Sequence, residues 1–248
     1  MILEVTDLRK VFGSHVAVDG VSFGVGSGGS LAIVGESGSG KTTCARIVAG
    51  LERATAGTIR LGDLTDKSDR KSRARMVQMV FQDPYQSLDR RQTVASCLDE
   101  VLKFHGRDER PRRTKELLDL VGLDQRHAKA LPKQLSGGQR QRVAIARALA
   151  PEPRLLILDE AVAALDVSIQ AQVLNLLADA RKATGVGYLF ITHDLSVVRH
   201  VCDDVIVMHR GKIVEAGPVE KVLTSPEADY TRKLVGSIPR PGWVPTRA

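Results

Sequence analysis

Gly35-Glu36-Ser37-Gly38-Ser39-Gly40-Lys41-Thr42 lies between an apolar run, Leu31-Ala32-Ile33-Val34, and a helical stretch at about 41–49. It fits the pattern G-x-x-x-x-G-K-[ST] at every fixed position. A buried strand, a glycine-rich turn and a helix, in that order, form the context in which this pattern binds phosphate. Gly35, Gly38 and Gly40 let the backbone curl, so that successive N–H groups point at phosphate oxygens. The helix that starts near Gly40 adds the positive end of its dipole. Lys41 is expected to reach the β and γ phosphates of a nucleotide, and the Thr42 hydroxyl to ligate Mg²⁺. Ser37 and Thr43 complete the expected nucleotide-binding set.

Working outward, three more short apolar runs end in polar residues. They are Val77-Gln78-Met79-Val80-Phe81 before Gln82, Leu155-Leu156-Ile157-Leu158 before Asp159-Glu160, and Tyr188-Leu189-Phe190-Ile191 before Thr192-His193. Runs of four or five mostly non-alternating apolar residues suit strands buried on both faces of a parallel sheet. Ligands in such sheets bind at the carboxyl ends of the strands. Asp159 is therefore the natural partner for Mg²⁺, and Glu160 is placed to accept a proton from an attacking water. Gln82 is expected to coordinate the metal or its water, and His193 to donate to a γ-phosphate oxygen as charge builds there.

The remaining composition sets bounds. In 248 residues, 43% are hydrophobic and 26% charged, the balance of a globular protein with a sizeable core. No apolar run approaches the roughly 18–20 residues that span a bilayer, and the first seven residues show no signal peptide. Cys44, Cys97 and Cys202 are far apart, so neither a disulfide framework nor a zinc site is expected. The net charge of +7 permits nucleic acid, acidic lipid or polyphosphate as a partner and selects none of them. An aromatic content of 4% is thin for stacking single-stranded bases.

The predicted fold is α/β: a phosphate-loop core with a parallel sheet, an N-terminal antiparallel β region and an inserted helical region. Residues 1–25 are strand-like, with turns at Gly13-Ser14-His15 and Asp19-Gly20. Residues 205–216 read as a β-hairpin. The stretch from 83 to about 150 is helical and basic, and Asp63 to Arg75 is expected to be a solvated loop. The main domain is placed at 1–237, with a short Pro-rich tail at 238–248.

Leu135-Ser136-Gly137-Gly138-Gln139 opens a predicted helix that Pro151 stops. This is a second glycine-rich helix N-terminus and hence a second anion site. Ser136 as a plain helix cap is the simpler reading. The whole set in this order, however, resembles the ATP-binding-cassette (ABC) ATPases, whose signature is LSGGQ. The resemblance implies a head-to-tail dimer in which ATP lies between the phosphate loop of one chain and Ser136, Gly137, Gly138 and Gln139 of the other. It implies that Phe12 stacks on adenine, the alternative being a core phenylalanine. It also implies that Ala164-Leu165-Asp166 crosses the dimer interface. Many members carry Pro-Thr-Ser after the catalytic glutamate, where this chain has Ala161-Val162-Ala163. Glu160 and Asp166 keep their places.

Val80-Phe81-Gln82-Asp83-Pro84-Tyr85-Gln86-Ser87-Leu88 resembles the oligopeptide, dipeptide and nickel importer branch, in which this stretch faces the permease. Leu165-Asp166-Val167-Ser168 and Ala228-Asp229-Tyr230-Thr231-Arg232-Lys233-Leu234 fit the same branch, the latter as the start of a C-terminal extension. The expectation is an ATPase subunit of an importer at the cytoplasmic face of the membrane. Its implied partners are a second ATPase subunit, identical or different, two permease subunits and an extracytoplasmic solute-binding protein. No direct nucleic-acid partner is expected. The competing reading is a cassette ATPase that acts on nucleic acid or ribosomes. Such proteins usually carry a coiled-coil insertion or two cassettes, and neither is visible. The basic helical region reads equally as a solvated face or as a surface against anionic lipid.

Overall fold

The computed structural model describes residues 1–64, 69–83 and 88–238. From the N-terminus, β1 (Leu3–Phe12) and β2 (His15–Val25) form an antiparallel hairpin. β3 (Ser30–Val34) leads through the glycine-rich loop into α1 (Lys41–Val48). β4 (Ala56–Leu61) returns to pair with β1, giving a three-stranded sheet of order β2-β1-β4. α2 (Arg70–Met76) precedes β5 (Val77–Val80). Helices α3 (Val94–Phe104), α4 (Arg110–Leu120) and α5 (Gly137–Leu149) follow, with no intervening strand among the described residues. β6 (Leu155–Asp159), α6 (Val167–Thr184), β7 (Gly187–Thr192) and α7 (Leu195–Val201) restore the alternation. The chain then forms β8 (Asp204–His209) and β9 (Lys212–Pro218), and closes with α8 (Val219–Thr224) and α9 (Asp229–Gly236).

The larger sheet has the order β5-β6-β7-β3-β8-β9, parallel except for β9 at one edge. Every residue of β3, β6 and β7 is buried. The pleat sends Leu31, Ile33, Ile157 and Ile191 into one cluster with α1 and the three-stranded sheet. It sends Ala32, Val34, Leu158 and Phe190 into another with α3, α5 and α6. Two covered faces explain why these strands read as unbroken apolar runs. Each buried Leu or Ile stabilises by about 1.5–3 kcal/mol.

Three local readings change. Residues 70–76 form α2, capped by Asp69, whose carboxylate accepts from the Lys71 and Ser72 amides. The helix buries none of its residues, so it leaves no apolar period in the sequence. Asp19-Gly20 is not a turn. β2 runs through it, with Gly20 at φ 68° and a register shift between the pairs Leu8–Val21 and Lys10–Val18. That is a β-bulge, the other common use of a left-handed glycine in a strand. β4 was not anticipated, because only Ile59 and Leu61 of its six residues are buried. Residues 65–68 of the expected loop, Pro84 to Ser87 and the tail from Pro239 onward lie outside the described residues.

Candidate nucleotide site

The sheet order sets β5, β6, β7 and β3 side by side and parallel, so their carboxyl ends form one row. Gln82, Asp159-Glu160, His193 and the glycine-rich loop stand along that row. Val34 pairs with Thr192 and Asp159 with Ile191, which fixes their heights.

Two glycines of the loop leave no room for a side chain. Gly40 has φ 103°, and a Cβ there would lie 2.4 Å from the Ala17 carbonyl oxygen. Gly35 has φ 150°, and its Cβ would lie 2.2 Å from the Met208 carbonyl oxygen. Gly40→Ala is therefore expected to lower the thermal midpoint by about 5–10 °C, through left-handed strain and a backbone clash. Gly137→Ala, where a Cβ meets nothing within 4 Å, serves as its control and should move the midpoint little. Differential scanning calorimetry of both variants checks the pair.

α1 starts at Gly40 with no side-chain cap, leaving its first N–H groups for an anion. Lys41 is 4% exposed. Its Nζ donates to the carbonyl oxygens of Gly35 (2.8 Å) and Glu36 (2.7 Å). Burial pushes its pKa below the ordinary lysine value, against the pull of Glu160 and Asp159. The Thr42 hydroxyl donates to Asp159 Oδ1 at 3.1 Å. Burial raises the Asp159 pKa, and that hydroxyl opposes the rise. The buried Ser39 hydroxyl has no hydrogen-bond partner among the described residues. A buried cation, a buried carboxylate and an orphaned hydroxyl fit a polyanion with a hard divalent cation. Among the described residues no group of three His, Cys, Asp or Glu could hold a metal alone. Mg²⁺ suits this arrangement because it is usually held by one or two carboxylates together with substrate phosphates.

Glu160 adopts φ 50°, a left-handed conformation uncommon outside glycine, and its N–H donates to Ile191 O at 2.9 Å. Backbone strain of this kind concentrates at working sites. His193 Nδ1 lies 3.3 Å from Glu160 Oε1, so the two strand-end residues are in contact. Gln82 is exposed. With Asp83, Gly137, Gln141, Ala161, Ala164 and Leu165 it lines a cavity of about 250 Å³. Phe12 is 46% exposed at the tip of the β1–β2 hairpin, with Lys10 Nζ 4.5 Å from its ring centroid. That exposure excludes the core reading and leaves the ring free to stack.

At the start of α5, the Ser136 hydroxyl accepts from the Gln139 N–H (3.3 Å) and the Gln139 side chain accepts from the Ser136 N–H (2.9 Å). This is a reciprocal capping box. Gly138 abuts α6, since a Cβ there would lie 2.4 Å from Ile169 Cγ2. Asp166 caps α6, accepting from the Ile169 N–H (3.0 Å) and the Ser168 hydroxyl (2.9 Å). The Ile169 N–H and that hydroxyl hold its carboxyl below the ordinary range. The cap on α5 and the loop before α1 are thus separate helix ends within one chain.

Two contacts and one buried amide went unassigned from the sequence. Gly211 N–H donates to Ser39 O at 3.1 Å. Tyr230 Oη accepts from the Glu36 N–H at 3.2 Å. Gln141, 1% exposed, lines the Gln82 cavity, and its buried Nε2 has no partner among the described residues. All three depend on long-range folding. Each residue lay in a segment already read, but none of the pairings was visible there, because each joins distant parts of the chain.

The row of strand ends and the uncapped helix define a nucleotide-binding ATPase of the phosphate-loop class. The family model for ABC transporters matches residues 18–163, and the chain belongs to that family. It is 44% identical to the oligopeptide transport ATP-binding protein OppF of Bacillus subtilis, over 97% of this chain and 83% of that one. It is 47% identical to the oligopeptide transport ATP-binding protein OppD of Mycobacterium tuberculosis, over 94% of this chain but 39% of that longer one. Among solved structures it is similar to cbiO1 from Clostridium perfringens, part of the ABC transporter complex cbiONQ. That match has a TM-score of 0.82 at 29% identity and covers 97% of both chains. A dimeric ATP-binding cassette with ADP and Pi, in a post-hydrolysis state, matches with a TM-score of 0.77 at 30% identity. It covers 88% of this chain and 98% of that one. The chain is an ABC ATPase that binds and hydrolyses ATP.

Proposed function

We propose that this chain is the ATP-hydrolysing subunit of a peptide importer, working at the cytoplasmic face of the membrane. The observation that carries the reading is an intact ATPase site in a chain 44% identical, along 97% of its length, to an oligopeptide transport subunit. No helix among the described residues is long and apolar enough to cross a membrane. In the importer that the resemblance implies, two permease subunits supply the channel and an extracytoplasmic solute-binding protein delivers the cargo. Phe81 is 40% exposed beside a groove formed by Gln78, Met79, Val80, Ala144, Arg147 and Ala148, which suits permease docking.

In this reading Lys41 leaves the loop carbonyls for the β and γ phosphates, and the amides at the start of α1 hold the phosphate oxygens. Thr42, Asp159 and Gln82 would hold Mg²⁺, which would supply positive charge against those oxygens. Phe12 stacks on the adenine. Glu160 takes the proton of the water that attacks the γ-phosphorus, and ADP departs as the bridging P–O bond breaks. His193 orients Glu160 and donates to a γ-phosphate oxygen. Ser136 to Gln139 of a second cassette close over the nucleotide, and Asp166 lies at that junction. Closure and reopening pull on the permeases through the helices between β5 and β6.

Uptake of labelled oligopeptides tests the cargo. Cells lacking the chain should take up peptide only when complemented with the native sequence, and not with Glu160→Gln. Peptide uptake unaffected by loss of the chain contradicts a peptide cargo.

A further inference from the structure

The phosphate loop is held from the far end of the chain. Tyr230, in α9, accepts a hydrogen bond from the Glu36 N–H at 3.2 Å. Its ring packs on His209, at the end of β8, with centroids 4.1 Å apart and planes inclined by 38°. α9 is anchored independently of the loop. The Glu215 carboxylate, on β9, accepts from the Glu227 N–H (2.8 Å) and the Ala228 N–H (3.0 Å) just before α9 begins. Thr231 and Val235 bury its inner face.

The Gly35 carbonyl and the Glu36 N–H belong to one peptide unit. Lys41 Nζ holds its oxygen at 2.8 Å, and Tyr230 Oη holds its N–H. These two restraints have different fates. A triphosphate competes with the carbonyl for the donors of Lys41 Nζ, whereas the Tyr230 contact is made at the N–H of the same peptide unit. We propose that Tyr230 is a positioning residue: it keeps the first peptide of the phosphate loop in its binding orientation while Lys41 changes partners, so that α9 sets the affinity for nucleotide. The inference rests on the loop binding nucleotide and is independent of the cargo.

The chemistry gives the expected size. Without the hydroxyl, the peptide unit is free to tilt whenever Lys41 is engaged, and ordering it again weakens binding. One neutral hydrogen bond corresponds to roughly a three- to tenfold change in affinity.

Tyr230→Phe removes Oη and keeps the ring over His209. Isothermal titration with MgADP should show affinity weakened about three- to tenfold. KM for ATP should rise by the same factor, with kcat at saturation within about twofold and the thermal midpoint nearly unchanged. Glu215→Ala loosens the anchor of α9 without touching the loop, and should weaken MgADP binding in the same direction. Unchanged MgADP affinity in Tyr230→Phe overturns the proposal. So does a loss of affinity that comes with an equal fall in kcat or a large fall in thermal midpoint, because general loosening then accounts for it. Only this chain and MgADP are used, so the result is separate from the question of peptide transport.

Discussion

Glu160→Gln should cut steady-state ATP hydrolysis by about 10²–10⁴-fold while MgATP binding stays within a few-fold. The substitution keeps shape and hydrogen-bonding reach and removes the capacity to accept a proton at neutral pH. Glutamine can still meet His193, 3.3 Å away, through its amide oxygen. The backbone at φ 50° demands no more of glutamine than of glutamate. Position argues for the role. Glu160 follows Asp159 at the end of β6, in the same row of strand ends as the phosphate loop, and contacts the histidine that follows β7. A loss of less than tenfold, measured by phosphate release at saturating MgATP, assigns the proton to another group. The bound, unhydrolysed state should also favour closure on a second cassette, which makes this variant useful for trapping partners.

Lys41→Ala should weaken MgATP binding by about 10- to 100-fold, the size expected when charged hydrogen bonds to phosphate are lost. Its effect on the unliganded fold should be small, and the sign follows from burial. The Lys41 pKa is below its ordinary value, so the folded chain holds that proton less tightly than the unfolded chain does. The buried ammonium thus costs stability at neutral pH, and that cost diminishes as pH rises toward the unfolded value. Alanine removes the cost together with two hydrogen bonds to Gly35 O and Glu36 O. The thermal midpoint without nucleotide should stay within a few degrees of wild type, while the rise produced by a given MgATP concentration shrinks. Nucleotide affinity equal to wild type, measured by titration calorimetry, removes Lys41 from the phosphate contact. Arginine is not a conservative substitute, because its planar fork is larger and the site is closed.

The sequence was most legible where one residue type has one physical use. Buried parallel strands need apolar residues on both faces, so β3, β6 and β7 stood out as unbroken runs. The polar residues that follow them fall at the sheet edge where ligands collect, so Asp159, Glu160 and His193 could be nominated without coordinates. α2 and β4 were missed for the opposite reason: α2 buries nothing and β4 only two residues, so neither carries a clear period. Asp19-Gly20 was misread because a left-handed glycine serves a bulge as well as a turn. The Gly40 collision with Ala17 and the Tyr230 bond to Glu36 join residues far apart in the chain. Local pattern contains neither distance. The resemblance to the cassette ATPases supplied what periodicity could not, namely the expectation that two helix ends in one chain serve sites shared between two chains.

The most direct test of the account is a pull-down of tagged Glu160→Gln protein with MgATP from detergent-solubilised native membranes, with partners identified by mass spectrometry. The account predicts recovery of multi-spanning permeases together with a second cassette ATPase or a second copy of this chain. Recovery of only ribosomes or nucleic acid, with no membrane protein, contradicts it and turns the +7 charge into the signature of a different partner.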